Sequence, residues 1–441
     1  MEETIVAPAT PQGRGGISII RLSGDGASSV GSSLCGALPS SWGLKPCSIS
    51  DSDGGVIDFG LVVFFAGPKS YTGEDVVEIH CHGNPLIVDS IISSAVSFGA
   101  RMAEPGEFTK RAFLNDKIDL AQAESVADLI AARTKSAVVG ASSSLSGEFS
   151  NMIKGCIERL VKVRVLIEAT LDFPEEEGVG LAPMESAQVN VGLKKEFAFL
   201  DRLVSGSLVG LRLREGVKVV IVGPPNCGKS TLLNCFAEKN LAIVSGSPGT
   251  TRDVIKVDIN LGGVPIELVD TAGIRESEAG LVEREGIRRA FKELEGAGLV
   301  LVMSVVGEEF AVSVDEGISV IRVFNKVDLF SKKNLVGPKD SVFISAKKRT
   351  GLASLEKKMC SIVGLGPGSE VPLFARRRHL SFLQVAKECL ARAVDVAVCG
   401  GGEELVAEEL REAQAALGEI TNPISSDALL GEIFSSFCVG K

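Results

Sequence analysis

One eight-residue loop constrains the fold of this chain more than any other stretch of its sequence. Residues 223–230 read Gly-Pro-Pro-Asn-Cys-Gly-Lys-Ser, and they lie between an apolar segment, 217–222, and a helix-forming segment, 231–236. This G-x-x-x-x-G-K-S pattern is typical of a phosphate-binding loop, because its glycines let backbone N–H groups turn toward phosphate oxygens. Lys229 is expected to reach the β- and γ-phosphates of a nucleotide, and Ser230 offers a hydroxyl to Mg²⁺.

Three further motifs follow in sequence, and each comes directly after an apolar segment that predicts a strand. Asp270-Thr271-Ala272-Gly273 supplies a carboxylate near Mg²⁺ and a glycine N–H near the γ-phosphate. Asn325-Lys326-Val327-Asp328 supplies a carboxylate that can accept from the N1–H and N2–H₂ groups of guanine, a donor pair that adenine lacks. Ser345-Ala346-Lys347 completes a guanine pocket. Because the carboxyl ends of parallel strands meet at one edge of a sheet, the four motifs predict a single GTP site.

Length and composition set bounds on the class of protein. A chain of 441 residues suggests roughly two to four domains. The net charge of −10 argues against a large sequence-independent surface for nucleic acid. Ten cysteines without Cys-x-x-Cys spacing indicate reduced thiols and a cytoplasmic location. We find neither a signal peptide nor an apolar run long enough for a transmembrane segment.

The first 118 residues predict an α/β domain. Strands are predicted over residues 4–7, 16–22, 58–65 and 75–82, and a helix over residues 85–98. His80 and His82 alternate on one face of the last of these strands. No third metal ligand lies near them in the sequence, so a surface or interface pair is the simpler interpretation.

Helical spacing of apolar residues dominates the chain on both sides of the phosphate-binding loop. Before the loop it predicts helices over residues 120–171, with an interruption at 142–146, and over 187–213. After the loop, residues 355–363 predict the last helix of the phosphate-loop domain, and beyond a glycine-rich linker helical spacing returns over 378–398 and 403–417. This pattern predicts one helical domain that is split around an inserted domain, whose two ends must lie close together. The basic cluster at 376–378 is more simply a solvated helix N-terminus than an RNA contact.

Several longer motifs resemble those of the MnmE (TrmE) family of tRNA-modifying GTPases, and together they span essentially the whole chain. They are residues 4–11 with 13–16, residues 70–75, 105–109 and 113–124, and the final Cys438-Val439-Gly440-Lys441. The resemblance implies an α/β multidomain fold with a Ras-like P-loop GTPase domain, built on a mixed sheet, over residues 216–364. It implies an N-terminal α/β dimerisation and formyl-tetrahydrofolate-binding domain over 1–118, and a helical domain split into 119–215 and 365–441.

The resemblance also implies site residues. Mg²⁺ would be held by Ser230 and Thr251; K⁺ by Asn226, Ser245, Ser247 and Thr250; and 5-formyl-tetrahydrofolate by Arg21, Glu78, Lys117 and Lys441. Cys438 would be a candidate reactive thiol. The residues expected to bind GTP are Asn226, Cys227, Gly228, Lys229, Ser230, Thr231, Ser245, Gly246, Ser247, Pro248, Gly249, Thr250, Thr251, Asp270, Thr271, Ala272, Gly273, Asn325, Lys326, Asp328, Ser345, Ala346 and Lys347.

Hydrolysis of GTP needs a group that orients the attacking water. The residue after Asp-Thr-Ala-Gly is Ile274, which cannot do this. The segment that follows resembles the second switch of the family, whose Val-Glu-Arg-x-Gly-Ile pattern implies that Glu283 has this role, with Lys229 as the second catalytic residue. Compared with the family, the chain carries one extra residue between Gly273 and Glu283. Three other carboxylates therefore remain alternatives: Glu276, Glu278 and Glu285.

Two residues of the phosphate-binding loop need a separate comment. No arginine finger is evident in the sequence, and the resemblance implies that K⁺ beside Asn226 offsets the charge that develops between the β- and γ-phosphates. Cys227 replaces a more usual small apolar residue, which predicts that the loop is sensitive to oxidation.

The function implied by the resemblance is a homodimeric, K⁺-stimulated GTP hydrolase. With an FAD-dependent partner of the MnmG type, in a heterotetramer, it would add a carboxymethylaminomethyl group at C5 of the wobble uridine of certain tRNAs. Hydrolysis through pairing of the GTPase domains would drive a conformational change. One alternative is a GTP-operated ribosome-assembly or RNA-binding switch. Another is a P-loop kinase or ATPase, against which the Asp328 motif argues.

Overall fold

The structure, a computed structural model, describes most of the chain and divides it into two compact units. It describes residues 3–172, 183–239, 255–270, 296–308, 310, 314, 317–330, 338, 341–364, 372–399, 402–422, 427–435, 437–438 and 440. The first unit contains Met1–Ala127, Leu145–Ile157 and Ala415–Lys441, and the second contains Asp128–Ser144 and Glu158–Gln414. None of the helices in these ranges has an apolar stretch long enough to cross a bilayer. The division of the sequence into four segments stays a prediction.

A six-stranded sheet is the framework of the first unit. Its strands are β1 (Ile5–Pro8), β2 (Gly15–Ser23), β3 (Leu44–Ser50), β4 (Val56–Phe65), β5 (Val76–Gly83) and β6 (Arg101–Met102). They lie in the order β3-β4-β5-β2-β1-β6, and every neighbouring pair is antiparallel except β1 with β6. Three helices accompany the sheet: α1 (Ala27–Cys35), α2 (Pro85–Ser97) and α3 (Glu107–Leu114).

The alternation of side chains along β2 and β5 gives the sheet two different faces. Ile20 and Ile79 are fully buried in the core that also contains residues of α1 and α2. Arg21 and Glu78, which are partners in the register of the two strands, point to the opposite face. Phe108 of α3 packs on that opposite face, and its ring lies 5.7 Å from the guanidinium carbon of Arg21.

Five elements of this unit coincide with predicted ones, and two of the elements that were not predicted have physical reasons. Strands β1, β2, β4 and β5 and helix α2 lie within two residues of their predicted bounds. Strand β3 was not predicted, because it is a sheet edge whose side chains are mostly exposed, so that it lacks an apolar alternation, and because it contains Pro46. Helix α1 was not predicted either, since serine and glycine interrupt its apolar spacing.

A buried cluster of charges fastens α3 to the sheet. Arg111, whose side chain is 4 % exposed, donates to the carboxylate of Glu74 at 3.1 Å and to that of Glu107 at 3.0 Å. Arg101 donates to both carboxylate oxygens of Glu107, at 2.6 Å to Oε1 and 2.8 Å to Oε2. Burial alone would raise the pKa of Glu107, but the bonds from Arg101, a backbone N–H and Arg111 outweigh it and lower the pKa to about 2.

The direction of this pKa shift decides when the cluster stabilises the fold. The folded-state pKa of Glu107 lies below the ordinary value of 4.5. Its contribution to stability is therefore fully present above about pH 4.5 and is lost as the pH falls toward 2.

Long helices follow the first sheet and return near the end of the chain. They are α4 (Leu120–Ala131), α5 (Lys135–Leu145), α6 (Glu148–Asp172), α7 (Pro183–Glu215), α10 (Arg377–Val398), α11 (Glu403–Thr421) and α12 (Asp427–Ser435). The predicted interruption near residues 142–146 occurs at Ser146 and Gly147, and the φ of +91° at Gly147 favours glycine. A second break, at residues 132–134, was not predicted.

The second unit contains the mixed sheet that the sequence predicts. Its strands are β7 (Val217–Val222), β8 (Ile255–Leu261), β9 (Val264–Asp270), β10 (Leu299–Val305), β11 (Ser319–Asn325) and β12 (Val342–Phe343), in the order β12-β11-β10-β7-β9-β8. All neighbours are parallel except β8 with β9. Helices α8 (Lys229–Lys239) and α9 (Leu352–Val363) contribute to the core on this sheet.

One carboxylate bonds to an arginine from each of two chain segments, one that leads into β7 and one that leads into α10. Asp128 of α4 accepts from Nε of Arg214 at 2.9 Å and from a terminal nitrogen of Arg376 at 2.8 Å. Arg214 lies just before β7, and Arg376 lies just before α10. The side chain of Arg376 is only 15 % exposed. The expectation of a solvated cluster at 376–378 is therefore wrong for Arg376, which forms an ion pair, and Arg377 pairs with Glu215 at 2.9 Å.

We predict that Arg111→Met destabilises the first unit by about 3–5 kcal/mol, because it leaves the buried carboxylates of Glu74 and Glu107 without their shared partner. Trp42, the single tryptophan, belongs to this unit and packs edge-on against Phe65 with ring centroids 4.9 Å apart. Urea unfolding followed by its fluorescence measures the effect.

The matched control is Lys45→Met, which removes an exposed cation of the same unit that bonds to the Ala37 carbonyl. It should leave the unfolding midpoint close to that of the wild type. Equal midpoints for the two variants would contradict a structural role for the buried cluster.

Candidate functional site

The phosphate-binding loop has the backbone that its sequence predicts. Asn226 adopts the left-handed region at φ +60°, which asparagine tolerates better than most residues. Gly228 has φ +101°, and a Cβ there would collide with the side-chain amide of Asn325. Lys229 begins α8, and its Nζ donates to the carbonyls of Gly223 at 2.7 Å and Pro224 at 2.9 Å. The lysine ammonium therefore lies over the loop whose N–H groups are expected to bind phosphate.

Ser230 and Asp270 meet beside this loop. The Ser230 hydroxyl donates to a carboxylate oxygen of Asp270 at 2.7 Å, and Asp270 is fully buried where β9 ends. Both side chains offer hard oxygen ligands, which is the donor type that Mg²⁺ prefers. This pair therefore fits a magnesium ion held next to nucleotide phosphates.

Asn325 links the phosphate-binding loop to the predicted guanine pocket. Its Nδ2 donates to the carbonyl of Cys227 at 2.8 Å, and its Oδ1 accepts from the backbone N–H of Ala346 at 2.9 Å. The residue is 3 % exposed, so water does not compete for these bonds. One side chain thus ties the third and fourth motifs to the first, as their order in the sequence predicts.

Asp328 is held by the motif that follows it. The Ser345 hydroxyl donates to Oδ1 of Asp328 at 2.5 Å. This hydrogen bond, with smaller contributions from a backbone N–H, Lys348 and Lys347, lowers the pKa of Asp328 below its ordinary value. As an ionised carboxylate at neutral pH, Asp328 can accept from two donors on a base edge. Lys326, in the same motif, has φ +62° and is half-buried, while Lys347 is exposed.

Cys227 does not have the properties of an oxidation-sensitive thiol. Its side chain is 1 % exposed, and burial raises the pKa of the thiol above its ordinary value. Oxidants react with exposed thiolates, and both requirements are opposed here. The sensitivity expected from the sequence is therefore not supported by the geometry.

Arg21 and Glu78, predicted from the resemblance to bind folate, are in direct contact. The Arg21 guanidinium lies 2.8 Å from the Glu78 carboxylate, and the two side chains are 21 % and 17 % exposed. Lys117 donates its Nζ to the carbonyl of Pro68 at 2.8 Å. A guanidinium suits a carboxylate of a glutamate tail, and a carboxylate suits the amino donors of a pterin, so this part-exposed pair fits such a ligand chemically.

Two aromatic residues flank Arg21 and were missed by the sequence analysis. The Tyr71 ring centroid is 5.6 Å from the guanidinium carbon of Arg21, and the Phe108 centroid is 5.7 Å from it. The Tyr71 hydroxyl is within 2.9 Å of the Thr109 hydroxyl. Both aromatics lie inside the family-like motifs at 70–75 and 105–109, but only the tertiary structure places their rings beside a residue at position 21.

The C-terminal tail lies against the N-terminal residues of the same unit. Gly106 donates its N–H to the carbonyl of Cys438 at 3.4 Å, and Cys438 is exposed. A Cβ at Gly440 would collide with the carbonyl of Pro8, which pairs with Ile20 beside Arg21. The tail therefore runs toward the Arg21 strand, although Lys441 itself lies outside the described residues.

Two other groups of possible metal ligands lie close to charged side chains of the protein. His82 Nδ1 lies 2.8 Å from the carboxylate of Asp58, and His80 Nε2 lies 3.7 Å from that of Glu78. Elsewhere in the described ranges, the one set of three ligand-type side chains within 4.8 Å is Cys389, Glu409 and Glu412. Arg392 already places its cation there, since it pairs with Glu409 at 2.7 Å and lies 3.2 Å from the Cys389 sulfur.

The remaining predicted site residues cannot be placed. Those that lie outside the described residues are Ser245, Gly246, Ser247, Pro248, Gly249, Thr250, Thr251, Thr271, Ala272, Gly273, Glu276, Glu278, Glu283, Glu285 and Lys441. Their roles stay predictions. Thr231 lies in the first turn of α8, directly after Ser230.

Comparisons with known proteins identify the family to which the chain belongs. Residues 4–117 match the family described as GTP-binding protein TrmE N-terminus, and residues 120–438 match the MnmE helical domain family. Relatives named tRNA modification GTPase MnmE include one from Nitrosomonas eutropha, 44% identical over 100% of this chain and 99% of its own length. One from Neisseria meningitidis serogroup B is 43% identical over 99% of each chain.

Among solved structures, translation elongation factor SelB from Methanococcus maripaludis matches 34% of each chain at 17% identity with a TM-score of 0.25, which is too low to support an argument. The two family matches and the full-length relatives are sufficient without it. The chain belongs to the MnmE (TrmE) family of tRNA modification GTPases.

Proposed function

We propose that this chain is a K⁺-stimulated GTP hydrolase that acts in the modification of the wobble uridine of certain tRNAs. The observation that carries the proposal is the double hydrogen bond of the Asn325 side chain, which joins the phosphate-binding loop at Cys227 to the guanine-pocket segment at Ala346. A phosphate site and a base site are thereby held in one fixed relation, which is what recognition of a whole nucleotide requires.

Guanine is favoured over adenine by the state of Asp328. At neutral pH Asp328 is a carboxylate that acts only as an acceptor, and the Ser345 hydroxyl fixes one of its oxygens, so it suits the adjacent N1–H and N2–H₂ donors of guanine. Adenine presents an acceptor at N1 and no 2-amino group, so it would leave the carboxylate unpaired. This supports a GTPase over the kinase or ATPase alternative.

The residues beside the phosphates supply positioning and positive charge. Lys229 stabilises negative charge on the β- and γ-phosphates, and the N-terminus of α8 orients its N–H groups toward them. Ser230 and Asp270 would hold Mg²⁺, with Thr251 as a further proposed ligand, and the ion would supply positive charge that offsets that of the phosphates. Glu283 is proposed to orient the attacking water, because Ile274 cannot.

Asn226 is the proposed link to potassium. Asn226 has a left-handed backbone at φ +60°, and its amide oxygen is a ligand type that suits a weakly hydrated monovalent cation. Ser245, Ser247 and Thr250 are the proposed further oxygen ligands. The cation supplies the positive charge that an arginine finger supplies in other GTPases when two such domains pair face to face.

The wider role is proposed from the family. The chain would act as a homodimer with a FAD-dependent partner of the MnmG type, in a heterotetramer, on C5 of the wobble uridine. The proposed folate ligands are Arg21, Glu78, Lys117 and Lys441, and the contact between Arg21 and Glu78 supports this because it brings a cation and an acceptor together on one partly exposed face. Cys438 is proposed as a reactive thiol near this site.

We predict that GTP hydrolysis is faster in KCl than in NaCl at matched ionic strength, by about tenfold or more. Asn226→Ala and Asn226→Gly should both lose this stimulation, because both lack the amide oxygen. The measurement is steady-state phosphate release in the two salts.

The glycine variant is the matched control for the backbone, since glycine adopts φ +60° without strain. It should bind GDP as the wild type does. Stimulation by K⁺ that survives in Asn226→Gly would exclude the amide oxygen as a ligand. Equal rates in both salts for the wild type would remove the cation mechanism and favour a GTP-operated assembly switch.

We also predict that Asp328→Asn exchanges guanine for xanthine nucleotides. The NH₂ group of asparagine can donate to the 2-oxo group of xanthine. Facing the 2-amino group of guanine, it would place one donor against another, and no hydrogen bond could form. GDP affinity should fall on the order of 10²-fold or more, while XDP affinity rises. Isothermal titration with both nucleotides measures this.

Asp201→Asn is the control for this substitution, because Asp201 forms an ion pair with Lys387 in the same unit. It should not change the preference between the two bases. Loss of GDP binding in Asp328→Asn without any gain of XDP binding would argue against base recognition by this carboxylate.

A further inference from the structure

A cysteine on α8 contacts the predicted guanine-pocket segment, residues 345–347. The Cys235 thiol donates to the carbonyl oxygen of Ala346 at 3.2 Å. Cys235 is 7 % exposed, and Ala346 is 1 % exposed. The sequence analysis assigned this cysteine no role, because nothing in the primary structure connects position 235 with position 346.

The Ala346 residue is held on both sides. Its N–H donates to Oδ1 of Asn325 at 2.9 Å. Its carbonyl accepts from the Cys235 thiol and also from the backbone N–H of Arg349 at 3.3 Å. Since the site is buried, water does not replace a lost bond, and removal of the thiol leaves the carbonyl with fewer donors. The thiol is therefore one of three groups that set the orientation of this stretch of backbone.

We propose that Cys235 is a positioning residue for guanine recognition. It acts through Ala346, and it holds the Ser345–Lys347 segment where that segment closes the pocket over the base. The inference rests on the proposed binding of GTP by this chain and adds to it a side chain that touches neither the phosphates nor the base.

The proposal separates two parts of base recognition. Asp328 meets the N1–H and 2-amino donors of guanine, as argued above. Cys235 acts on the backbone of the neighbouring segment and has no contact with Asp328 or Ser345 among the described hydrogen bonds. Loss of the thiol should therefore weaken every nucleotide whose base enters the pocket, whether or not that base carries a 2-amino group.

The simpler interpretation is that Cys235 only fills space. It belongs to the hydrophobic core on this sheet, and a buried cysteine often behaves as a small apolar residue. Two substitutions separate the interpretations. Cys235→Ala removes the hydrogen-bond donor but stays apolar. Cys235→Ser keeps a donor at nearly the same place but is less apolar than cysteine.

The experiment is isothermal titration of the full-length protein with GDP, IDP, which lacks the 2-amino group, and ADP. Cys235→Ala should raise the Kd values of GDP and IDP by the same factor, about 3- to 10-fold, so that their ratio is unchanged. Cys235→Ser should restore most of the affinity for both. Cys360→Ala, on α9 of the same unit, is the matched control and should bind all three nucleotides as the wild type does.

Three results would overturn the proposal while leaving the proposed function intact. They are unchanged Kd values in Cys235→Ala, equal losses in the alanine and serine variants, and a loss confined to GDP, which would indicate an effect on the Asp328 side. A wild-type protein that binds ADP as tightly as GDP would instead overturn the proposed GTP specificity itself.

Discussion

The ion pairs of the Asp128 carboxylate are the interaction on which the architecture of the second unit depends. This carboxylate pairs with Arg214, just before β7, and with Arg376, just before α10, so the chain leaves the helices and returns to them at the same point. An inserted domain requires such adjacent ends. A largely buried carboxylate is tolerated there because two guanidinium groups satisfy its oxygens, and removal of both would leave its charge uncompensated in a poorly hydrated place.

Strand β7 runs from this contact to the nucleotide end of the sheet. It begins three residues after Arg214 and ends directly before the phosphate-binding loop. At that far end, Asn325 joins the loop to Ala346, and Ser230 joins it to Asp270. A short central strand, paired with β9 on one side and β10 on the other, therefore lies between the helices and the proposed site of hydrolysis. The Arg21 and Glu78 pair belongs to the other unit, where alternation along β2 and β5 brings it onto one face.

Sequence reasoning predicted the parts of the fold that repeat a pattern. Apolar strands before the four nucleotide motifs and the helical spacing on both sides of residues 216–364 were visible because periodicity is local. Strand β3 and helix α1 lack that periodicity and were missed. The ion pair of Arg376 was misjudged as a solvated cluster, since its partner is 248 residues away in the chain. Contacts at such separation leave no local signal.

The sequence by itself determined the family, the mixed sheet and the types of residue that meet nucleotide phosphates, because loops of this kind need particular residues at particular spacings. Only the tertiary structure decided that Tyr71 and Phe108 flank Arg21, that Cys227 is too buried to be reactive, and that the thiol of Cys235 bonds to Ala346. The physical reason is the same in each case: burial and hydrogen bonding between distant segments depend on how the elements pack, and composition or spacing does not encode that packing locally.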